Sequence, residues 1–193
     1  REEEKALIRI GLSMMNEEWL EAQKEAKTLV DAEPPSRYQV RAWQWLVAIY
    51  RGLELPEEAL RELDALLKAH PEALNKDLLI EQVLLLRDLN RREEALQVML
   101  SHPEILDLEM QQLQLSLLWE LELWEGFLEK ALQMLPQMKD PKDQAELYFR
   151  RGQAYEQTKD PLKALPAYER SLQNVLNPTW GIEAKLAILR LYY

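Results

Sequence analysis

The 193-residue chain contains no cysteine. A disulfide framework, a zinc–thiolate site and a cysteine nucleophile are therefore excluded, though the compartment is not fixed by this. Glycine is scarce, with five residues scattered far apart, so no glycine-rich phosphate loop can form. There are two histidines, His70 and His102. Each directly precedes a proline and has no partner at metal-ligand spacing, which reads as the close of a helix. The few serines lack a Gly-x-Ser-x-Gly elbow. No catalytic residue, cofactor or metal site is predicted. Positive charge is also short, 24 basic against 34 acidic residues for a formal net charge of −10. A field of that sign repels phosphate backbones and argues against a nucleic-acid partner. Long apolar runs are missing. The best candidate, Leu113 to Leu123, is broken by Gln114, Glu120 and Glu122 and falls short of the ~20 residues that span a bilayer. Alternating β-branched runs and Asn-Gly or Asp-Gly turns are absent, so strands are not expected. No signal peptide is visible and the chain opens at Arg1 without an initiator Met. It reads as a fragment or processed form, and its localisation is left unknown.

What remains is apolar residues at helical spacing, 47% of the chain, with 30% charged residues to dissolve it. Between Tyr38 and Arg51, the residues Val40, Trp43, Leu46, Val47 and Tyr50 recur at steps of three and four, one face of a helix. Ala59, Leu60, Leu63, Leu66 and Leu67 repeat the pattern from Pro56 to Lys68. Pro56 and Pro161 suit first helical turns, and Pro71 and Pro103 lie just past helix ends. Pro34-Pro35, Pro136, Pro141 and Pro178 punctuate the rest. Eleven helices are predicted, near 2–15, 17–32, 37–52, 56–69, 74–89, 92–101, 105–121, 123–135, 142–157, 161–175 and 179–192. The carboxylate pairs Glu57-Glu58 and Glu93-Glu94 fall in first turns, where they complement the helix dipole.

The helices repeat in pairs. Ala22, Ala59, Ala95, Phe127 and Ala164, near the start of every second helix, are separated by 37, 36, 32 and 37 residues. In this register one unit reads Tyr148-x2-Arg151-Gly152-x2-Tyr155, then Ala164-x3-Tyr168. Another reads Trp43-x2-Leu46-Val47-x2-Tyr50, then Ala59-x3-Leu63, then Pro71. The opening unit reads Leu7-x2-Ile10-Gly11-x2-Met14, then Ala22-x3-Ala26, then Pro34. Leu79-x2-Gln82-Val83-x2-Leu86 with Ala95-x3-Met99, and Gln111-x2-Gln114-Leu115-x2-Leu118 with Phe127-x3-Ala131, are more degenerate. These units resemble the tetratricopeptide repeat family, whose signature places an aromatic, Leu-Gly and Tyr on the first helix, Ala and an aromatic on the second, then Pro. The resemblance covers nearly the whole chain. It implies an all-α right-handed superhelix of about five helix pairs plus a terminal helix. The repeats would span about 2–34, 37–71, 74–103, 105–138 and 142–178, in a single domain closed by a helix at 179–192. Gly11 and Gly152 are expected where the two helices of a pair cross closely, opposite the small residues of the second helix.

The resemblance also implies that the first helices line a concave groove. Residues flanking the core stripe there are Ile8, Leu12 and Met15; Arg41, Gln44, Ala48 and Arg51; Asp77, Ile80, Leu84 and Arg87; Gln112, Ser116 and Trp119; and Phe149, Gln153 and Glu156. The predicted partner-binding residues are Arg41, Gln44, Arg51, Ile80, Leu84, Arg87, Gln112, Trp119, Phe149 and Gln153. Arginine and aromatics are enriched at protein contacts. The three arginines either meet an acidic partner or pair with neighbouring carboxylates. Some family members clamp a C-terminal carboxylate with Lys and Asn, but here those places hold Ile8, Leu12, Trp45 and Arg150, so that clamp is not expected.

The implied function is a non-catalytic scaffold or adaptor holding a peptide or protein partner in the groove. The bacterial envelope is one setting in which such chains occur. The alternatives are a sensory or regulatory module of a larger signalling protein and an accessory domain of an enzyme. The closing segment carries Trp180, Ile182, Leu186, Ile188, Leu189 and Leu191, apolar on more than one side, with only Lys185 and Arg190 to oppose them. A terminal helix normally shows a polar outer face. Either the chain continues past Tyr193, or this helix meets a second copy as a homodimer.

Overall fold

The computed structural model describes residues 2–33, 35–173 and 179–192. Pro34, Pro178 and the end of the helix predicted at 161–175 lie outside the described residues. Among the described residues there are eleven α-helices and no strand: α1 (Glu2–Met15), α2 (Trp19–Val30), α3 (Gln39–Gly52), α4 (Pro56–Ala69), α5 (Lys76–Asp88), α6 (Arg92–Ser101), α7 (Leu108–Glu120), α8 (Trp124–Met134), α9 (Pro141–Gln157), α10 (Pro161–Ser171) and α11 (Gly181–Tyr192).

Local chemistry sets their ends. Pro56, Pro141 and Pro161 occupy first turns. Asn75 accepts from the Leu78 amide at 3.0 Å and Asp107 from the Met110 amide at 3.0 Å. These caps start α5 and α7 two and three residues later than the predicted 74 and 105. Pro71 and Pro103 each open a single 3₁₀ turn, and a third lies at Leu135–Gln137. His70 closes α4, its imidazole in hydrogen-bond contact with Gln39 at 3.2 Å and Glu72 at 3.1 Å, edge-on to Trp43 at 5.8 Å.

The turn inside each helix pair is built the same way five times. Glu17, Glu54, Asn90, Glu122 and Lys159 take φ between 55° and 60°, the left-handed region, though none is glycine. One residue further on, an amide reaches back five residues: Glu18 to Ser13, Leu55 to Tyr50, Arg91 to Leu86, Leu123 to Leu118 and Asp160 to Tyr155, at 2.8–2.9 Å. This is the Schellman closure of a helix. Ala22, Ala59, Ala95, Phe127 and Ala164 each follow the left-handed residue by five and are all completely buried.

The chain forms two compact units, residues 1–105 and 106–193. In the first, α1 to α6 pack successively, each on the next; in the second, α7 to α11 do the same. The first core holds Ile10, Leu46, Ile49, Leu63, Leu66, Leu79 and Leu85, and the second Met110, Leu117, Phe127 and Tyr168, none more than 1% exposed. A cluster of Ala145, Phe149, Ala164, Tyr168, Trp180, Ala184 and Ala187 seats α11 on the preceding pair.

The two glycines expected at close crossings differ. A Cβ on Gly152 would lie 2.6 Å from the Tyr168 ring, so no larger residue fits without movement. A Cβ on Gly11 would meet nothing within 4 Å, which corrects the expectation of a tight crossing there. The residue four after Ala164 is Tyr168, whereas the residue four after Ala22 is Ala26. The opening pair lacks the ring that would fill the gap.

Candidate functional site

In the first unit, the predicted site residues are spread along first helices of the pairs. On α3, Arg41 is exposed and its guanidinium carbon stands 5.1 Å from the centre of the Trp45 ring. This contact gives Trp45, off the core stripe in sequence, a role holding Arg41. Gln44 on the same helix is half-buried. Arg51 donates Nη1 to both carboxylate oxygens of Glu81, at 3.1 and 2.9 Å, and so ties α3 to α5. Of the two readings offered for the arginines, Arg51 follows carboxylate pairing. Ile80, Leu84 and Arg87 on α5 are half-buried. On α1, Ile8, Leu12 and Met15 are exposed by 62, 54 and 82%, an apolar edge open to water.

In the second unit the predicted residues divide between two recesses. Gln112 lines a recess of ≈ 170 Å³ with Leu115, Ser116 and Leu147. Trp119, Phe149 and Gln153 come together in an open cleft of ≈ 540 Å³, completed by Glu146, Arg150, Thr179, Trp180 and Glu183. The cleft spans α7, α9 and the start of α11. Its aromatic wall is fixed by packing. Trp119 is held edge-on by Trp124 and by Phe127, each at 5.1 Å between ring centres. Phe149 stacks on Trp180 at 6.3 Å and leans on Tyr168 at 5.7 Å. Phe149 is only 8% exposed, so its contribution is an edge rather than a face. The reason lies in the next helix, since Trp180 covers the ring.

The polar lining is uneven. Arg150 donates to Glu146 at 3.0 Å one helical turn away, so those charges compensate each other. Glu183 makes no ion pair with any described residue. Glu146, Arg150, Thr179, Trp180 and Glu183 were not among the predicted site residues. Two of them carried a sequence signal: Trp180, an aromatic at the start of the predicted closing helix, and Arg150, at a place where some family members clamp a carboxylate. Glu146 and Arg150 share the face of α9 that carries Phe149 and Gln153, whereas Thr179 and Glu183 reach the cleft only because α11 stacks on α9, which spacing within one helix does not reveal. Among the described residues no group of three His, Asp or Glu side chains could hold a metal ion.

The helix pairing agrees with a repeat profile found in the sequence, which matches residues 145–174, within α9 and α10 and the turn after them. The profile is that of the tetratricopeptide repeat, which residues 145–174 resemble. The tetratricopeptide-repeat fold extends over both units, because solved structures of that fold align with nearly all of the chain. YrrB, described as a TPR protein with an unusual peptide-binding site, is 18% identical, with 92% of this chain and 88% of that one covered and a TM-score of 0.67. MamA from AMB-1 is 13% identical, with 94% and 97% covered and a TM-score of 0.65. The C-terminal part of a TPR repeat-containing protein from Cytophaga hutchinsonii is 18% identical, with 95% and 69% covered and a TM-score of 0.57. No curated protein sequence matches the chain significantly.

Proposed function

We propose that the chain is a non-catalytic scaffold that binds a peptide or protein partner, and that the cleft between Trp119, Phe149 and Gln153 is where the partner sits. The observation that carries this reading is that cleft: an aromatic wall held in place by packing, with an amide donor-acceptor beside it. An apolar side chain of the partner would lie on the wall while Gln153 bonds its backbone. Such a pocket is what an interface centre needs. The peptide-binding site named for YrrB, which has the same fold, supports the same reading. Arg41, exposed and held by Trp45, is the arginine proposed to meet an acidic stretch of a partner; Arg51 is already occupied by Glu81.

The test begins with a partner captured from the native source and its binding segment mapped. Trp119→Ala with Gln153→Ala is expected to weaken that segment at least tenfold, with helicity by circular dichroism retained. Unchanged affinity would overturn the cleft as the site.

A second contact is proposed at α11, where a second copy of the chain would cover Ile182, Leu186 and Leu189. These are exposed by 76, 60 and 54% and recur at steps of four and three, an uncovered stripe on one face.

A further inference from the structure

Tyr148, Arg151 and Tyr155 recur on α9 at steps of three and four. At 3.6 residues per turn they lie on the side opposite Glu146, Phe149, Arg150 and Gln153, the residues that α9 gives to the cleft. Arg151 is sandwiched between the two tyrosines, its guanidinium carbon 5.5 Å from the centre of the Tyr148 ring and 5.7 Å from that of Tyr155. It donates Nη2 to the Tyr155 phenol oxygen at 3.2 Å. From α10, Arg170 stands 5.5 Å from the Tyr148 ring centre and donates Nη1 to that phenol oxygen, also at 3.2 Å. Lys163 places Nζ 5.8 Å from the Tyr155 ring centre. These five side chains line an open recess of ≈ 240 Å³, and Tyr148 and Arg170 also line a neighbouring one of ≈ 280 Å³.

The charge balance of this recess runs against that of the chain. Acidic residues outnumber basic ones by 34 to 24, yet among the described residues no carboxylate pairs with Arg151 or Arg170. Lys163 alone has one, Asp160 at 2.8 Å. The Nε of Arg151 is sealed from solvent without an acceptor, one of two such side-chain atoms among the described residues. The phenol oxygens accept from the arginines, which leaves their own hydrogens to donate outward. The groups converging on the recess are therefore donors: two guanidiniums, an ammonium and two phenols. The position of Arg151 is also the one where the repeat signature has leucine, so the charge is not demanded by packing of the pair.

We propose that this recess is an oxyanion site that takes a carboxylate or phosphomonoester carried by a partner polypeptide. Paired guanidiniums match the planar or tetrahedral oxygens of such groups, and the ring faces hold both arginines in place before the anion arrives. The site is independent of the cleft on the other side of α9.

The experiment is a nuclear magnetic resonance titration of the isotope-labelled chain, following the side-chain Nε–Hε signals of Arg151 and Arg170. Three probes are used: inorganic phosphate, a terminally blocked triglutamate peptide, and sodium chloride at matched ionic strength. Saturable shifts with phosphate or with triglutamate, beyond those in chloride, are expected. Saturation by phosphate alone assigns the phosphomonoester, and saturation by triglutamate assigns the acidic segment. Arg170 is exposed, so Arg170→Gln leaves the core untouched and is expected to weaken binding at least tenfold, while Trp119→Ala leaves it unchanged. Shifts no larger than in chloride, or equal affinity in the Arg170→Gln variant, would overturn the proposal.

Discussion

The ring of Tyr168 lies directly on the bare Cα of Gly152, so that a Cβ there would fall 2.6 Å from two ring carbons. The ring is 1% exposed and cannot swing into solvent without opening the core. Gly152→Ala is therefore expected to destabilise by about 1–3 kcal/mol through overpacking, more than its gain in helix propensity returns. Gly11→Ala, with no atom near the added methyl, is expected to stabilise by up to about 1 kcal/mol. Chemical denaturation of both variants checks the pair, and effects of equal sign would contradict the account.

The hydroxyl of Tyr168 donates to Glu156, which also accepts from Arg190 at 2.8 Å. Burial of the phenol, and then the Glu156 carboxylate beside it, push its ionisation well above the usual tyrosine range. The sign follows from the neutral form being favoured in the folded state. The stabilisation is complete below the unfolded value near 10 and is lost progressively as pH rises beyond it. Tyr168→Phe is expected to cost about 1–2 kcal/mol at neutral pH. Its stability should approach that of the parent above about pH 10. Melting curves of the two proteins from pH 7 to 11 measure the difference; a gap that widens with pH would refute this.

Glu54 and Asn90 both hold left-handed backbone at equivalent turns. That conformation costs an ordinary residue about 1–2 kcal/mol, part of which a glycine loses again as unfolded-state entropy. Glu54→Gly is expected to gain about 0.5–1 kcal/mol. Asn90→Gly should gain less, because asparagine visits this region readily. The order of the two melting temperatures is the readout.

On α11, Ile182, Leu186 and Leu189 present an uncovered apolar stripe. Replacing Leu186 and Leu189 by Gln is expected to leave the fold intact and to abolish concentration-dependent association in sedimentation velocity. A parent chain that is monomeric at every concentration would remove the self-association reading.

The helices were legible because each side chain's spacing reports one face of one helix. The series from Ala22 to Ala164 was legible for the same reason, since a buried residue recurs wherever the second helix touches the first, alanine in four pairs and Phe127 in the other. The role of Gly11 was not, because it depends on what Ala26 leaves unfilled on another helix. Arg51 read as a groove residue, but Glu81 on the next first helix claims it; the choice between partner and carboxylate is made by stacking, which local spacing cannot see. The cleft was half-legible: Trp119, Phe149 and Gln153 could be placed by register, whereas Glu183 and Thr179 enter it only once α11 lies against α9.

The five left-handed turns are interchangeable joints. Each presents the same amide closure on one side and delivers a buried small or aromatic residue after the same five-residue offset on the other. Within the first unit, cutting at Glu54 and rejoining at Asn90 would connect α3 directly to α6 through an intact turn and remove one first and one second helix in a single step. Duplication at the same two points would add a pair. The array can thus gain or lose length by recombination in frame, without a new loop having to be devised.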